Sequence, residues 1–82
     1  DTGPVTRQFH CEDGSDLSVT FLRAPDVARV SQEGYTTVEL PARIIGAGFR
    51  YSANGMELRG RSNEVYWNRP GAAEAVCTVV AT

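Results

Sequence analysis

A reaction needs a nucleophile, an acid or a base held beside a partner. In this chain the side chains that qualify are one histidine, five serines and ten carboxylates. His10 lies between Phe9 and Cys11 in an alternating run, so it points away from the face those two bury. None of Ser15, Ser18, Ser31, Ser52 or Ser62 stands in a G-x-S-x-G context. The carboxylates are spread singly: Asp13 and Asp26 in turns, Glu39, Glu57 and Glu64 at outward strand positions. There is no phosphate loop or dinucleotide fingerprint, and two cysteines with one histidine leave a Cys/His zinc site incomplete. The expectation is a protein without catalytic residues, metal or cofactor.

What remains is recognition, and its donors are arginines. All eight basic residues are arginine, a bias that a GC-rich genome also produces. An arginine pairs bidentately with a carboxylate where a lysine does not. Arg50, Arg59 and Arg61 cluster in or just beyond residues 44–60, together with the glycine connection Gly46-Ala47-Gly48 and the run Phe49-Arg50-Tyr51. Glycines one residue apart permit positive φ and close approach of another surface. Asn54-Gly55 is a strong type I′ hairpin signal. Folding the chain back there brings residues 46–49 and Arg59-Gly60 to the same end of a sheet, as one composite surface.

The elements that hold this surface read as strands. Strand-like segments run over residues 6–12, 16–23, 27–32 and 35–42, then the aromatic run 49–51 before the Asn54-Gly55 turn, 56–59 after it, stopping at Gly60, then 64–67 and 74–80. Turns fall at Asp13-Gly14-Ser15, Glu33-Gly34 and Pro70-Gly71. Pro41 marks a strand end or an edge. No window gives an amphipathic helix, so the fold class is all-β, a small eight-stranded antiparallel meander closed or nearly closed as a barrel. Phe9, Phe21 and one of Tyr66 and Trp67 are assigned to the core. Phe49, leaving the glycine loop, is expected to face a partner.

Eighty-two residues make one domain, 1–82, with a thin core. Cys11 and Cys77 stand near the two ends, and a disulfide between the first and last strands would both staple that core and imply an oxidising compartment. A net charge of −2 and a pI of about 5.2 argue against nucleic acid or an anionic membrane as partner. No apolar run reaches the length of a membrane span. No signal peptide is present, and it is expected to have been removed.

The order F-H-C-E-D-G, then G-A-G-F-R-Y, then L-R-G-R-S-N-E-V-Y-W, then a late cysteine, resembles the bacterial MliC/PliC family of C-type lysozyme inhibitors. The resemblance covers nearly the whole chain. The family's first motif, Ser-Gly-x-x-Tyr, falls on Ala47-Gly48-Phe49-Arg50-Tyr51, with Ala47 in place of the serine. Its second, Lys-Gly, falls on Arg59-Gly60, with arginine in place of lysine. The resemblance implies a disulfide-bonded eight-stranded barrel whose first loop enters the lysozyme cleft. It makes C-type lysozyme the protein partner, with Gly46, Ala47, Gly48, Phe49, Arg50, Tyr51, Arg59, Gly60 and Arg61 as the contact set. Cys11 sits within the first strand and is not a lipid-anchored N-terminal cysteine, so the soluble periplasmic branch is the closer match. Related soluble inhibitors leave room for a homodimer.

Two other readings compete with inhibition. A periplasmic carbohydrate-binding module would use Tyr35, Tyr66 or Trp67 as a sugar platform, and a structural subunit would leave residues 46–60 without a role. The inhibitor reading carries expectations of its own. Arg59→Ala weakens inhibition, Ala47→Ser holds or improves it, and Gly48→Val is worse than either while all three variants stay folded.

Overall fold

The computed structural model describes residues 4–23, 25–44, 46, 48–61 and 63–80. Eight strands follow one another along the chain: β1 (Val5–Cys11), β2 (Asp16–Leu22), β3 (Val27–Gln32), β4 (Val38–Pro41), β5 (Phe49–Ala53), β6 (Met56–Arg61), β7 (Glu64–Asn68) and β8 (Ala75–Val79). They form one antiparallel sheet in the order β4-β3-β2-β1-β8-β7-β6-β5. Two four-stranded meanders, β1–β4 and β5–β8, therefore meet twice. One junction is the β1–β8 pairing, where Cys11 stands opposite Cys77 and the two are disulfide-bonded. The other is a seam between β4 and β5, closed by an isolated bridge from Ala42 to Tyr51 and by the Arg43 amide donating to the Arg50 carbonyl at 2.7 Å. The sheet is thus a nearly closed barrel.

Alternation decides what lies inside. Phe9 and Cys11, Leu17 and Val19, Ala28 and Val30, and Val65 and Trp67 are spaced by two residues and buried. Leu40, Tyr51, Leu58 and Cys77 complete the interior, so every strand contributes to it. Among the described residues no polar or charged residue is buried, so the interior owes its cohesion to apolar packing and the staple. Phe21 is partly buried against this cluster. Trp67 is the member of the Tyr66/Trp67 pair that turns inward.

The turns follow their chemistry. Asp13 accepts from the amide and the hydroxyl of Ser15 at 3.0 and 2.6 Å, and these bonds hold its carboxyl below the usual carboxylate range. Gly71 has φ 79° and the Ala72 amide donates to the Arg69 carbonyl, as a type II Pro-Gly turn requires. One strand is shorter than its sequence pattern. The run 35–42 yields only Val38–Pro41, with Ala42 in the bridge. Ser31 and Gln32 pair with β2 and have no β4 partner, since the β3–β4 ladder ends at Val30 and Val38. Tyr35 is thereby left in the turn, its amide donating to the Gln32 carbonyl.

Candidate functional site

The β5–β6 hairpin pairs Phe49 with Gly60, Arg50 with Arg59 and Tyr51 with Leu58. It turns on Asn54 and Gly55, whose φ values of 55° and 82° are those of a type I′ turn. The glycine loop and the end of β6 accordingly share one rim of the barrel. They touch there. A β-carbon on Gly48 would collide with the Gly60 carbonyl oxygen and lie 3.4 Å from Cγ of Arg61. Gly48 also holds φ 71°, a left-handed conformation. Gly60 is closed as well, because a β-carbon there would run into the Glu64 carbonyl.

This changes the expectation for Gly48→Val. The position is a backbone contact between the end of the loop and β6 rather than free loop, and a side chain there strains the fold before any partner arrives. Gly46 is the opposite case, with nothing within 4 Å of where its β-carbon would be and no positive φ. Ala47 lies outside the described residues.

The two aromatic residues of the stretch point into the barrel mouth. The Phe49 ring stands edge-on to Phe21 at 5.4 Å and 5.9 Å from Tyr51. It packs on the core cluster and is only partly accessible, so it closes the mouth beneath the loop rather than standing out toward solvent. Tyr51 is buried, 7% exposed, and its hydroxyl donates to Oδ1 of Asp26 at 3.1 Å. Burial first, then this bond and the Asp26 charge, push its phenol up to about 12. Tyr51 thus supports the loop from below.

Outside, register collects the charges. Glu57 on β6 takes Arg50 Nε at 2.5 Å and stands 3.6 Å from Arg59 Nε. Arg59 also reaches Glu74 at 3.0 Å and stacks over Tyr66 at 4.7 Å. Glu74 accepts from Asn68 as well. Two arginines and two glutamates are therefore already balanced on this face. Arg61 stands one turn of the pleat nearer the loop, exposed, with its stem against Gly48. Among the described residues it forms no ion pair. Arg43 donates to Ser52 at 3.2 Å and, with Arg50, separates two shallow hollows along the seam of about 210 and 380 Å³.

Sequence reasoning passed over Ile44. It is fully exposed on the loop and lines the first hollow with Gly48, Phe49 and Tyr51. The signal was present, since Ile44 is an apolar residue just beyond Pro41, where the strand pattern ends; Ile45 lies outside the described residues.

Of the three rings named for a sugar platform, Tyr35 is exposed, Tyr66 is half-buried and Trp67 is withdrawn into the core. Alternation turns Trp67 inward to 2% exposure. Arg59 covers a face of Tyr66, and Arg69 covers a face of Tyr35 at 3.9 Å. His10 is exposed on the outside of β1, bonded to Asp16 at 2.7 Å. Among the described residues no three His, Cys, Asp or Glu side chains gather as metal ligands, and no helix is long and apolar enough to cross a membrane.

Residues 9–80 match the family model described as membrane-bound lysozyme-inhibitor of c-type lysozyme. No curated protein and no solved structure matches the chain.

Proposed function

From the premise that this chain belongs to the MliC family of C-type lysozyme inhibitors, we propose that it inhibits by seating the loop of residues 44–49 in the lysozyme cleft, with Arg61 and Arg59 at its flank. The observation that carries this reading is the shared rim, where the loop rests on Gly60 and on the stem of Arg61. A lysozyme cleft works with two carboxylates, and a plug must not leave those charges buried and unpaired. Arg61 brings a cation not engaged by any described carboxylate. Arg59 can offer its own only by exchanging Glu74 and Glu57 for the partner's groups.

The motif serine is absent, so no hydroxyl is offered at position 47. Backbone N–H groups of the loop and the exposed side chain of Ile44 supply the contact in its place. Burying an isoleucine from full exposure is worth about 1.5–3 kcal/mol, roughly ten- to a hundredfold in affinity. The family and the disulfide both fit an extracytoplasmic location. Within it we place the protein on the periplasmic side, where it protects the cell wall from host lysozyme.

The test is cell-wall lysis by a C-type lysozyme with the protein added at near-stoichiometric ratio. The parent is expected to stop lysis. Arg61→Ala is expected to weaken inhibition about tenfold or more, as loss of a charge-assisted hydrogen bond does. Ile44→Ser should act similarly, with thermal stability unchanged in both. Parental inhibition by both variants would reject this mode of binding, and a parent that fails to slow lysis would reject inhibition itself.

A further inference from the structure

Asp26 sits in the turn between β2 and β3, far in sequence from the glycine loop, yet both stems of that loop end on it. On the outgoing side, the Ala42 amide donates to the Asp26 backbone carbonyl at 3.0 Å. On the returning side, the Tyr51 hydroxyl donates to Asp26 Oδ1 at 3.1 Å. Asp26 also lines the hollow beneath the loop, together with Ala42, Ile44 and Gly48. We propose that Asp26 is a positioning residue, a clamp that fixes the two stems of the loop at the β4–β5 seam and so sets the loop in the orientation its partner meets.

Three features support the assignment. The seam is the weak junction of the barrel, with a single bridge among the described residues where every other neighbouring pair has a ladder. The two bonds of Asp26 reach Ala42, just before the loop, and Tyr51, just after it, so together they fix the spacing of its ends. The charge of Asp26 is not matched by a salt bridge among the described residues, which leaves its carboxylate to the Tyr51 hydroxyl. An accepting carboxylate strengthens a hydrogen bond relative to a neutral acceptor. Preorganising a binding loop reduces the ordering cost at association. The contribution to inhibition rests on the lysozyme reading above; the clamp itself does not.

The experiment compares Asp26→Ala, Asp26→Asn, Tyr51→Phe and the double variant Asp26→Ala/Tyr51→Phe. Amide hydrogen exchange is followed at Ala42, Arg43 and Phe49, and at the β1–β8 pairing as a control. In Asp26→Ala, which keeps the backbone carbonyl that accepts from the Ala42 amide, exchange at Arg43 and Phe49 is expected to speed up about tenfold with the Ala42 and β1–β8 amides unchanged, and inhibition should fall by a similar factor. Tyr51→Phe should reproduce that loss, and the double variant should lose no more than either single one. Asp26→Asn, which still accepts through Oδ1, should restore most of the inhibition. The Tyr51 phenol, followed by its ultraviolet absorbance, should titrate at lower pH in Asp26→Ala. The clamp is overturned by unchanged exchange at Arg43 and Phe49, by losses that add in the double variant, or by exchange that rises equally in β1–β8, which would mark a general loss of stability. If the parent does not slow lysozyme, the inhibitor reading fails, and exchange with the phenol titration still decides for or against the clamp.

Discussion

Gly46 and Gly48 stand one residue apart and carry opposite constraints. Gly48 has positive φ and backbone of β6 against it, whereas Gly46 has open space and ordinary φ. A side chain at 48 therefore acts on the fold, and one at 46 acts only on what comes to the loop. Left-handed φ costs a non-glycine residue about 1–2 kcal/mol before the collision is counted. For a domain of this size each kcal/mol moves Tm by about 4–8 °C. Gly48→Val is expected to lower Tm by about 8 °C or more, while Gly46→Val leaves Tm within about 2 °C, as surface changes usually do. If residues 46–49 enter a cleft, Gly46→Val still weakens inhibition tenfold or more; melting curves and lysis assays on both variants check this pair of outcomes. The spacing Gly-x-Gly announced a loop, but it could not say which glycine is held. That depends on a contact with Gly60 of β6, and a contact between backbones leaves no mark on residue type. Arg61 is the same kind of case. It lies beside the loop because β6 runs on through Gly60 to Arg61, where the sequence pattern stops at Gly60.

At the scale of elements, all eight strands were readable, because each buries one face and the period of two is printed in its apolar residues. The seam between β4 and β5 was not. It is made by one bridge, one amide and a tyrosine that reaches a residue 25 positions earlier. The charge network over Arg50, Glu57, Arg59 and Glu74 was equally hidden, since it needs the register of β5–β6–β7 before those residues become neighbours. The seam does have a pH signature. Tyr51 is held at about 12 by burial and by Asp26, against an ordinary value of 10.0. Below pH 10 the phenol is protonated in folded and unfolded chains alike, and its contribution is intact. Between about 10 and 12 the unfolded chain releases the proton first, so stability falls as pH rises through that window. Urea midpoints measured from pH 9 to 12 should show this fall, and Tyr51→Phe should flatten part of it. A parent and variant with the same slope would remove Tyr51 as its source.

At the scale of the whole molecule, the barrel is two four-stranded halves with unequal joints. The β4–β5 joint carries the loop and is weakly paired; the β1–β8 joint has three aligned residue pairs and the disulfide. The loop proposed to meet the partner sits at the looser joint, and the covalent bond sits at the other. Cys11 and Cys77 are 66 residues apart, and closing a loop of that length removes unfolded-state entropy worth about 4 kcal/mol in the chain-entropy model. A chain of this length has a total stability of roughly 4–12 kcal/mol by the per-residue range of small proteins. The bond is therefore comparable to the whole margin. The double variant Cys11→Ala/Cys77→Ala is expected to lose about 4 kcal/mol, read as a lower urea midpoint with a steeper slope, because the unfolded chain without the cross-link exposes more surface. Both cysteines are fully buried, so reductant should act slowly on the folded protein and readily in urea, and reduction should lower the midpoint as the double variant does. Because the loss falls on the unfolded state, the fraction of the variant still folded without denaturant should inhibit like the parent once concentrations are corrected for that fraction. A variant that keeps the parental midpoint would mean that the β1–β8 ladder alone joins the halves. A fully folded variant that inhibits poorly would mean instead that the staple shapes the loop across the barrel.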